Sequence, residues 1–335
     1  MLREPEWWYR APGLTARALG PVAGLYGGVA ARRLETSRGY RSKLPVICVG
    51  NFTAGGSGKT PFSAMLVQLL VARGERPVVL TRGYGGTMRG PHWVEGQRNM
   101  ASEVGDEPLL LAAYAPVMVA RDRRAGAQAI EASGKATVIV MDDGLQNGAL
   151  VKDLGIAIVD GARGVGNGLV IPAGPLRVPL KFQGPLVQAI VFNGPAKAGL
   201  AQALAVDCPA PQLTARLEPA CDVAWLKGQR IVAFAGIGNP ARFFDMLAGL
   251  GAVVVERVAF GDHAAFSDAD AGRLLALAAR HEARLITTSK DHVRLQGRAR
   301  LDALAAATAT LPVAMTLASE DRDALMRMLD RVLMR

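Results

Sequence analysis

Apolar positions along the chain follow two alternating patterns. Short unbroken runs rich in β-branched residues, at 46–49, 77–80, 117–120, 137–141, 156–159 and 189–192, suit strands buried on both faces of a parallel sheet. Most are separated by stretches with apolar residues at helical spacing, such as 62–70, as the crossovers of a parallel sheet require. A proline-rich, less periodic stretch at 205–228 reads as a connector. Beyond it the alternation resumes, with strands at 231–235, 253–258, 284–287 and 313–317. The expected fold is α/β, with a core of parallel sheet flanked by helices at 45–204 and a second, smaller α/β lobe at 229–335. Residues 1–44 read as an amphipathic helical segment ahead of the core.

The first strand-like run leads into "GNFTAGGSGKTP". Gly55, Gly56 and Gly58 let successive backbone N–H groups point into one hollow, and the helix that follows adds its unpaired N–H groups and positive end. Lys59 supplies a point charge for β and γ phosphates, and Thr60 a hydroxyl for Mg²⁺. Pro61 is tolerated because the first helical turn has no use for the missing N–H. The stretch from Thr53 and Ala54 through Gly55, Gly56, Ser57, Gly58, Lys59 and Thr60 is therefore the candidate P-loop. Thr53 departs from the pattern G-x-x-x-x-G-K-[ST], which has glycine there. The plainer alternative is a glycine-rich turn with an exposed lysine.

Further candidates cluster at strand ends. "ATVIVMDDGLQ" closes an apolar run with Asp142 and Asp143, placed to hold Mg²⁺ directly or through water. "SEVGDEPLLLA" sets Asp106 and Glu107 before Pro108 and an apolar helix, as either an N-terminal cap or a carboxylate base for a substrate hydroxyl. "FGDHAAFSD" puts Asp262 and His263 after the 253–258 run. Arg123, Arg124 and Arg177 are available to stabilise charge growing on a transferred phosphoryl group, or are simply solvated. "IVAFAGIGNPARFF" matches G-x-G-x-x-A, with Glu256 about twenty residues on, and so outlines a dinucleotide fingerprint. Glu256 falls inside the run "VVVERV" instead of at its end, which weakens that reading.

Composition narrows the partners. Lys and Arg number 39 against 29 Asp and Glu, a formal charge of +10 that favours anionic partners. No nucleic-acid module is present and aromatic residues are sparse, at 5%, which argues against nucleic acid. An anionic membrane surface fits the N-terminal segment better. Trp7, Trp8 and Tyr9 precede an apolar recurrence of Leu14, Leu19, Val22, Leu25, Tyr26 and Val29, and Arg32, Arg33, Arg38, Arg41 and Lys43 follow. The uncharged run 18–31 is too short to span a bilayer. Glu4 and Glu6 argue against a secretory leader. The alternative is an ordinary amphipathic helix packed on the domain. Cys48, Cys208 and Cys221 have no metal-type spacing and suit a reduced compartment.

A P-loop, an acidic strand end and a candidate base, divided between two lobes, fit phosphoryl transfer to a hydroxyl. The competing class is a nucleotide switch, but "TTSKDHVRL", with Lys290 beside Asp291, breaks the N-K-x-D spacing by which GTPases read guanine. The blocks "GNFTAGGSGKTP", "LTRGYGG", "VGDEPLLLA", "VMDDGLQN", "VDGARGVGNGLVIPAGPLR", "FAGIGNPARFF", "FGDHAAFS" and "TTSKDHVRL" together resemble the tetraacyldisaccharide 4'-kinase family of lipid A synthesis, nearly end to end. In that family threonine before the glycines is usual. The resemblance implies transfer of the γ-phosphate of ATP, with Mg²⁺, to the 4'-hydroxyl of a tetraacylated glucosamine disaccharide 1-phosphate. It implies a peripheral protein on the cytoplasmic face of the inner membrane, with no protein partner. By motif, Lys59 and Thr60 would hold phosphates and Mg²⁺, with Asp142 and Asp143 completing the metal site. Asp106 would be the base, oriented by His263, and Arg123 would contact phosphate. Arg177 joins the site, "GIGNP" becomes a lobe-positioning turn, and the N-terminal stripe docks on membrane. One position departs: after "PAGP" many members read leucine, arginine, glutamate, whereas this chain has Leu176, Arg177 and Val178.

Overall fold

The computed structural model describes residues 4–96 and 98–334, so residues 1–3 and 335, at the outer ends of the spans 1–44 and 229–335, lie outside the described residues. The unbroken apolar runs become the middle of a nine-stranded sheet. Its strands are β1 (Val46–Gly50), β2 (Pro77–Thr81), β3 (His92–Trp93), β4 (Val117–Val119), β5 (Val138–Asp142), β6 (Leu154–Asp160), β7 (Ala189–Asn193), β8 (Gln212–Pro219) and, last in the chain, Val313–Leu317. Between β8 and that last strand lie β9 (Arg230–Ala235), β10 (Val253–Ala259), β11 (Arg284–Thr288) and β12 (Thr308–Leu311), which makes Val313–Leu317 β13. The large sheet runs β13-β8-β7-β6-β1-β5-β2-β4-β3, parallel except for antiparallel edge pairs β13–β8 and β3–β4. The small sheet, β10-β9-β11-β12, is parallel throughout.

Alternation along β1 builds a core on both faces, because successive side chains point opposite ways. Val46 and Cys48 join Leu80, Ile139, Met141 and Ile130 on one side. Ile47 and Val49 pack on the other against Phe62, Leu66 and Leu70 of the helix Lys59–Ala72. Leu325, Leu329 and Val332 of the helix Ser319–Leu333 cover the same face. Full burial of such side chains is worth about 1.5–3 kcal/mol each, which fastens the C-terminal helix to the core.

Two segments differ from the sequence expectation. Within 205–228, expected as a connector, Gln212–Pro219 forms β8, parallel to β7 and part of the large sheet. Val313–Leu317, expected in the smaller lobe, pairs antiparallel with β8. The chain therefore leaves the core after β8, builds the small sheet, and returns through Pro312 between β12 and β13. The prolines that suggested a linker flank β8 and close its last position, where a strand near a sheet edge tolerates them.

The helix Leu14–Thr36 buries a seam of small residues, Ala16, Ala23, Gly27 and Ala31, with Gly27 against Val170 and Pro179. Its large apolar residues point outward: Leu14 is 85% exposed and Leu25 74%, and Val22, Tyr26 and Val29 are also exposed. Among the described residues no helix is long and apolar enough to cross a membrane. Cys48, Cys208 and Cys221 are unpaired thiols.

Candidate active site

The P-loop connects β1 to the helix Lys59–Ala72. Gly58 has φ +96, and a Cβ there would lie 2.5 Å from the Asn193 side-chain amide, which itself donates to the Ser57 carbonyl at 3.0 Å. Only glycine meets both demands. The start of the motif behaves differently from expectation. The Ala54 amide donates to the Pro175 carbonyl at 2.8 Å, and Thr53 forms a β-bridge with Leu176. Thr53 and Ala54 are thus the loop's anchor, Gly55 is packed against the Glu4 carboxylate, and the hollow is lined from Gly56 onward. Gly56, Ser57, Gly58, Lys59 and Thr60 line a cleft of ≈ 500 Å³ whose other wall comes from the small lobe, including Asn239, Arg242 and Lys290.

The end of β5 brings two unlike carboxylates to the loop. Asp142 is fully buried, with one oxygen accepting from Ser63 Oγ at 2.8 Å and Oδ2 lacking a hydrogen-bond partner among the described residues. Burial, then the negative charges of Glu107 and Asp143, push its carboxyl up to about 7. Burial would raise Asp143 too, but Lys59 at 3.7 Å and Arg177 outweigh it and hold that carboxyl well below the usual range. Arg177 grips Asp143 through two nitrogens, at 2.8 and 3.2 Å, and donates to the Thr53 carbonyl at 3.0 Å. It therefore ties the end of β5 to the P-loop anchor. Arg123 stays behind this group: it is 2% exposed, donates to the Ala120 carbonyl, and burial lowers its guanidinium to about 10. It is not brought to the cleft wall, so its influence on Asp142 and Asp143 is through charge. Val178 is buried and its carbonyl accepts from Gln183 at 2.6 Å, so the position where the resemblance implies glutamate holds a packing residue here.

Across the cleft, the lobes meet at Asp106. Gly105 has φ +94, which turns the chain into the helix Asp106–Leu111 and leaves Asp106 only 3% exposed. Its Oδ1 accepts from the Glu107 amide at 2.9 Å. His263 Nδ1 approaches Oδ2 at 3.1 Å, near enough for a pair but bent away from hydrogen-bond alignment, and Arg294 Nε lies at 3.5 Å. Burial would raise Asp106, but His263, Lys290 and Arg294 outweigh it and keep the carboxyl below its ordinary value. His263 itself has φ +54, a strained conformation for a side chain of this size and one that clusters at functional sites. Asp106 and His263 line a second cavity, ≈ 340 Å³, whereas Glu107 and Lys290 line the P-loop cleft. One short wall thus separates two spaces.

A model of the tetraacyldisaccharide-1-P 4'-kinase family matches residues 15–334. The chain belongs to that family. A tetraacyldisaccharide 4'-kinase of Methylorubrum extorquens is 50% identical over 323 residues, covering 96% of each chain. One from Nitrobacter winogradskyi is 46% identical over 326 residues, covering 97% of this chain and 96% of the relative. Among solved structures, LpxK from Aquifex aeolicus in complex with ATP aligns with a TM-score of 0.74 at 26% identity, over 96% of this chain and 100% of that one.

As a tetraacyldisaccharide-1-P 4'-kinase the chain would use Mg²⁺, and the residues present fit that ion. The orphaned Oδ2 of Asp142, beside Glu107 and Asp143, is a buried acceptor without a hydrogen-bond partner among the described residues, and the positive charges of Lys59 and Arg123 do not offset its burial. No cluster of three or more His, Cys, Asp or Glu ligands forms among the described residues. Mg²⁺ needs none, since it takes one or two carboxylates together with phosphate oxygens and waters.

The fingerprint-like turn proves to be a seat between lobes. Gly236 N–H donates to Asp291 at 2.9 Å and so is not presented to a pyrophosphate, while a Cβ on Gly238 would lie 2.8 Å from the Gly56 nitrogen. Sequence reasoning named Glu107 beside Asp106 but passed over Ser63, Lys290 and Arg294 as site residues. For Lys290 and Arg294 the block "TTSKDHVRL" was the available signal; Ser63 had none.

Proposed function

We propose that this protein transfers the γ-phosphate of ATP to the 4'-hydroxyl of a tetraacylated glucosamine disaccharide 1-phosphate, yielding lipid IVA and ADP, at the cytoplasmic face of the inner membrane. It is a phosphotransferase with an alcohol acceptor. The observation that carries the reading is the wall between the two cavities: a buried, ionised Asp106 faces one space while the P-loop lines the other. A sugar hydroxyl presented at that wall gives its proton to Asp106 as its oxygen bonds to the γ-phosphorus and the bond to the β–γ bridging oxygen breaks. His263 orients the carboxylate. Amides from Gly56 to Thr60 and the Lys59 ammonium cradle the phosphates. Thr60 and the unpartnered oxygen of Asp142 would hold Mg²⁺, with Asp143 fixing Lys59 and Arg177 around it. When bound, the ion neutralises charge on the β and γ oxygens.

Membrane docking is supported by the outward apolar stripe of the helix Leu14–Thr36, next to Arg32, Arg33, Arg38, Arg41 and Lys43. An acceptor with acyl chains in a bilayer and an anionic 1-phosphate is best met by such a surface.

The test is incubation of purified protein with γ-labelled ATP, Mg²⁺ and the disaccharide 1-phosphate in detergent micelles. Label on the lipid is expected. Hydrolysis of ATP that ignores the acceptor and leaves the lipid unlabelled overturns the reading.

A further inference from the structure

We propose that Lys290 is a positioning residue of this reaction, holding His263 in the tautomer whose ring hydrogen lies on Nδ1, the nitrogen beside Asp106. The inference rests on the reading of Asp106 as base. Lys290 Nζ lies 3.0 Å from His263 Nε2 and 3.2 Å from Glu107 Oε1, with Asp262 Oδ1 at 4.0 Å. An ammonium has three hydrogens and no acceptor. Nε2 therefore accepts from the ammonium at 3.0 Å, which is nearer than the competing acceptor Asp262 Oδ1 at 3.8 Å, and the ring hydrogen is left to Nδ1, 3.1 Å from the Asp106 carboxylate. The other tautomer, or the imidazolium, would set a second hydrogen against the ammonium. Glu107, Asp106 and Asp262 hold Lys290 charged although burial opposes it.

The lysine cannot readily move away. It sits in the single turn Ser289–His292, capped by the Thr288 hydroxyl. The next residue, Asp291, is fully buried and accepts from the Gly236 amide, the Thr288 hydroxyl and Arg294. Arg294 also donates to the Lys290, Ala264 and Gly236 carbonyls. The Tyr84 ring packs against the imidazole in a T-shaped arrangement, with ring centroids 5.1 Å apart.

The experiment is ¹⁵N-histidine NMR of the full chain in micelles. Only four histidines contribute, and H263Q assigns the signal of interest. The wild type should show His263 protonated at Nδ1 and bare at Nε2. In K290M that pattern should be lost, with kcat down about tenfold or more and KM for the lipid within about threefold; K290R, also a pure donor, should restore both. A wild-type spectrum with hydrogen on Nε2, or a folded K290M that keeps it on Nδ1, overturns the assignment. Should K290M not fold, the wild-type and K290R spectra still decide. The spectrum is read without ATP or lipid, so its failure is separate from failure of the phosphoryl-transfer assay.

Discussion

With Asp142 as the proposed metal ligand, metal binding becomes a competition with a proton. With its carboxyl pushed up to about 7, the group is about nine-tenths protonated at pH 6 and about nine-tenths ionised at pH 8. A divalent cation needs the ionised form, so its apparent affinity for the nucleotide-free protein should rise about tenfold between those values, roughly 1.4 kcal/mol, and then level off. Mn²⁺ titration followed by the electron paramagnetic resonance of unbound ion measures this directly. Asp142→Asn should bind weakly and without the slope. The same group has a linked effect on folding. Its folded value lies above its unfolded one, so the folded state holds the extra proton between about pH 4 and 7, and stability falls as pH rises through that window, by up to about 1.4 kcal/mol per unit. Metal-free melts at pH 5.5 and 7.5 should therefore differ more in the wild type than in Asp142→Asn, and Mn²⁺ should remove the difference. An affinity independent of pH from 6 to 8, or an equal slope in Asp142→Asn, refutes the reasoning.

Asp106→Ala should lower kcat by about 10²–10⁴ while ATP-analogue affinity stays within a few-fold, and His263→Ala should cost less; near-normal turnover in Asp106→Ala reassigns the base. Gly58→Ala combines a positive φ with a clash on Asn193 and should destabilise by about 1–3 kcal/mol and abolish nucleotide binding; wild-type affinity by calorimetry would contradict the cradle geometry. Leu14→Glu with Leu25→Glu changes only exposed positions, so melting should be unaltered while vesicle co-sedimentation weakens and KM rises for the lipid more than for ATP; an equal rise for both would detach the stripe from membrane docking.

What the sequence disclosed and what it hid divide by the range of the forces involved. β1, β2 and β5 were legible because a strand buried on both faces must be apolar throughout, and their burial is complete. β8 was not, because it lies toward a sheet edge, where Arg216 and Glu218 reach solvent and prolines are tolerated, so local composition imitates a linker; β13 was legible as a strand but was placed in the smaller lobe because its partner β8 had been missed. The site divides in the same way. Lys59 and Thr60 are consecutive at a helix start, and Asp142 and Asp143 are consecutive at a strand end, so their chemistry is local. The partners of Asp106 come from across the chain: Lys290 meets Glu107 at a separation of 183 residues, and no spacing rule announces such a pair. That distance has a mechanistic consequence. His263, Lys290 and Arg294 all belong to the small lobe, and Gly238 of the same lobe rests on Gly56 of the P-loop. On the proposed reading, Asp106 is oriented as base only when the lobe seats on the P-loop. Any substitution that lifts Gly238 away, such as Gly238→Val with its Cβ against the Gly56 nitrogen, should lower kcat through the dyad and weaken ATP binding together. Loss of one without the other would mean that the lobes contribute independently.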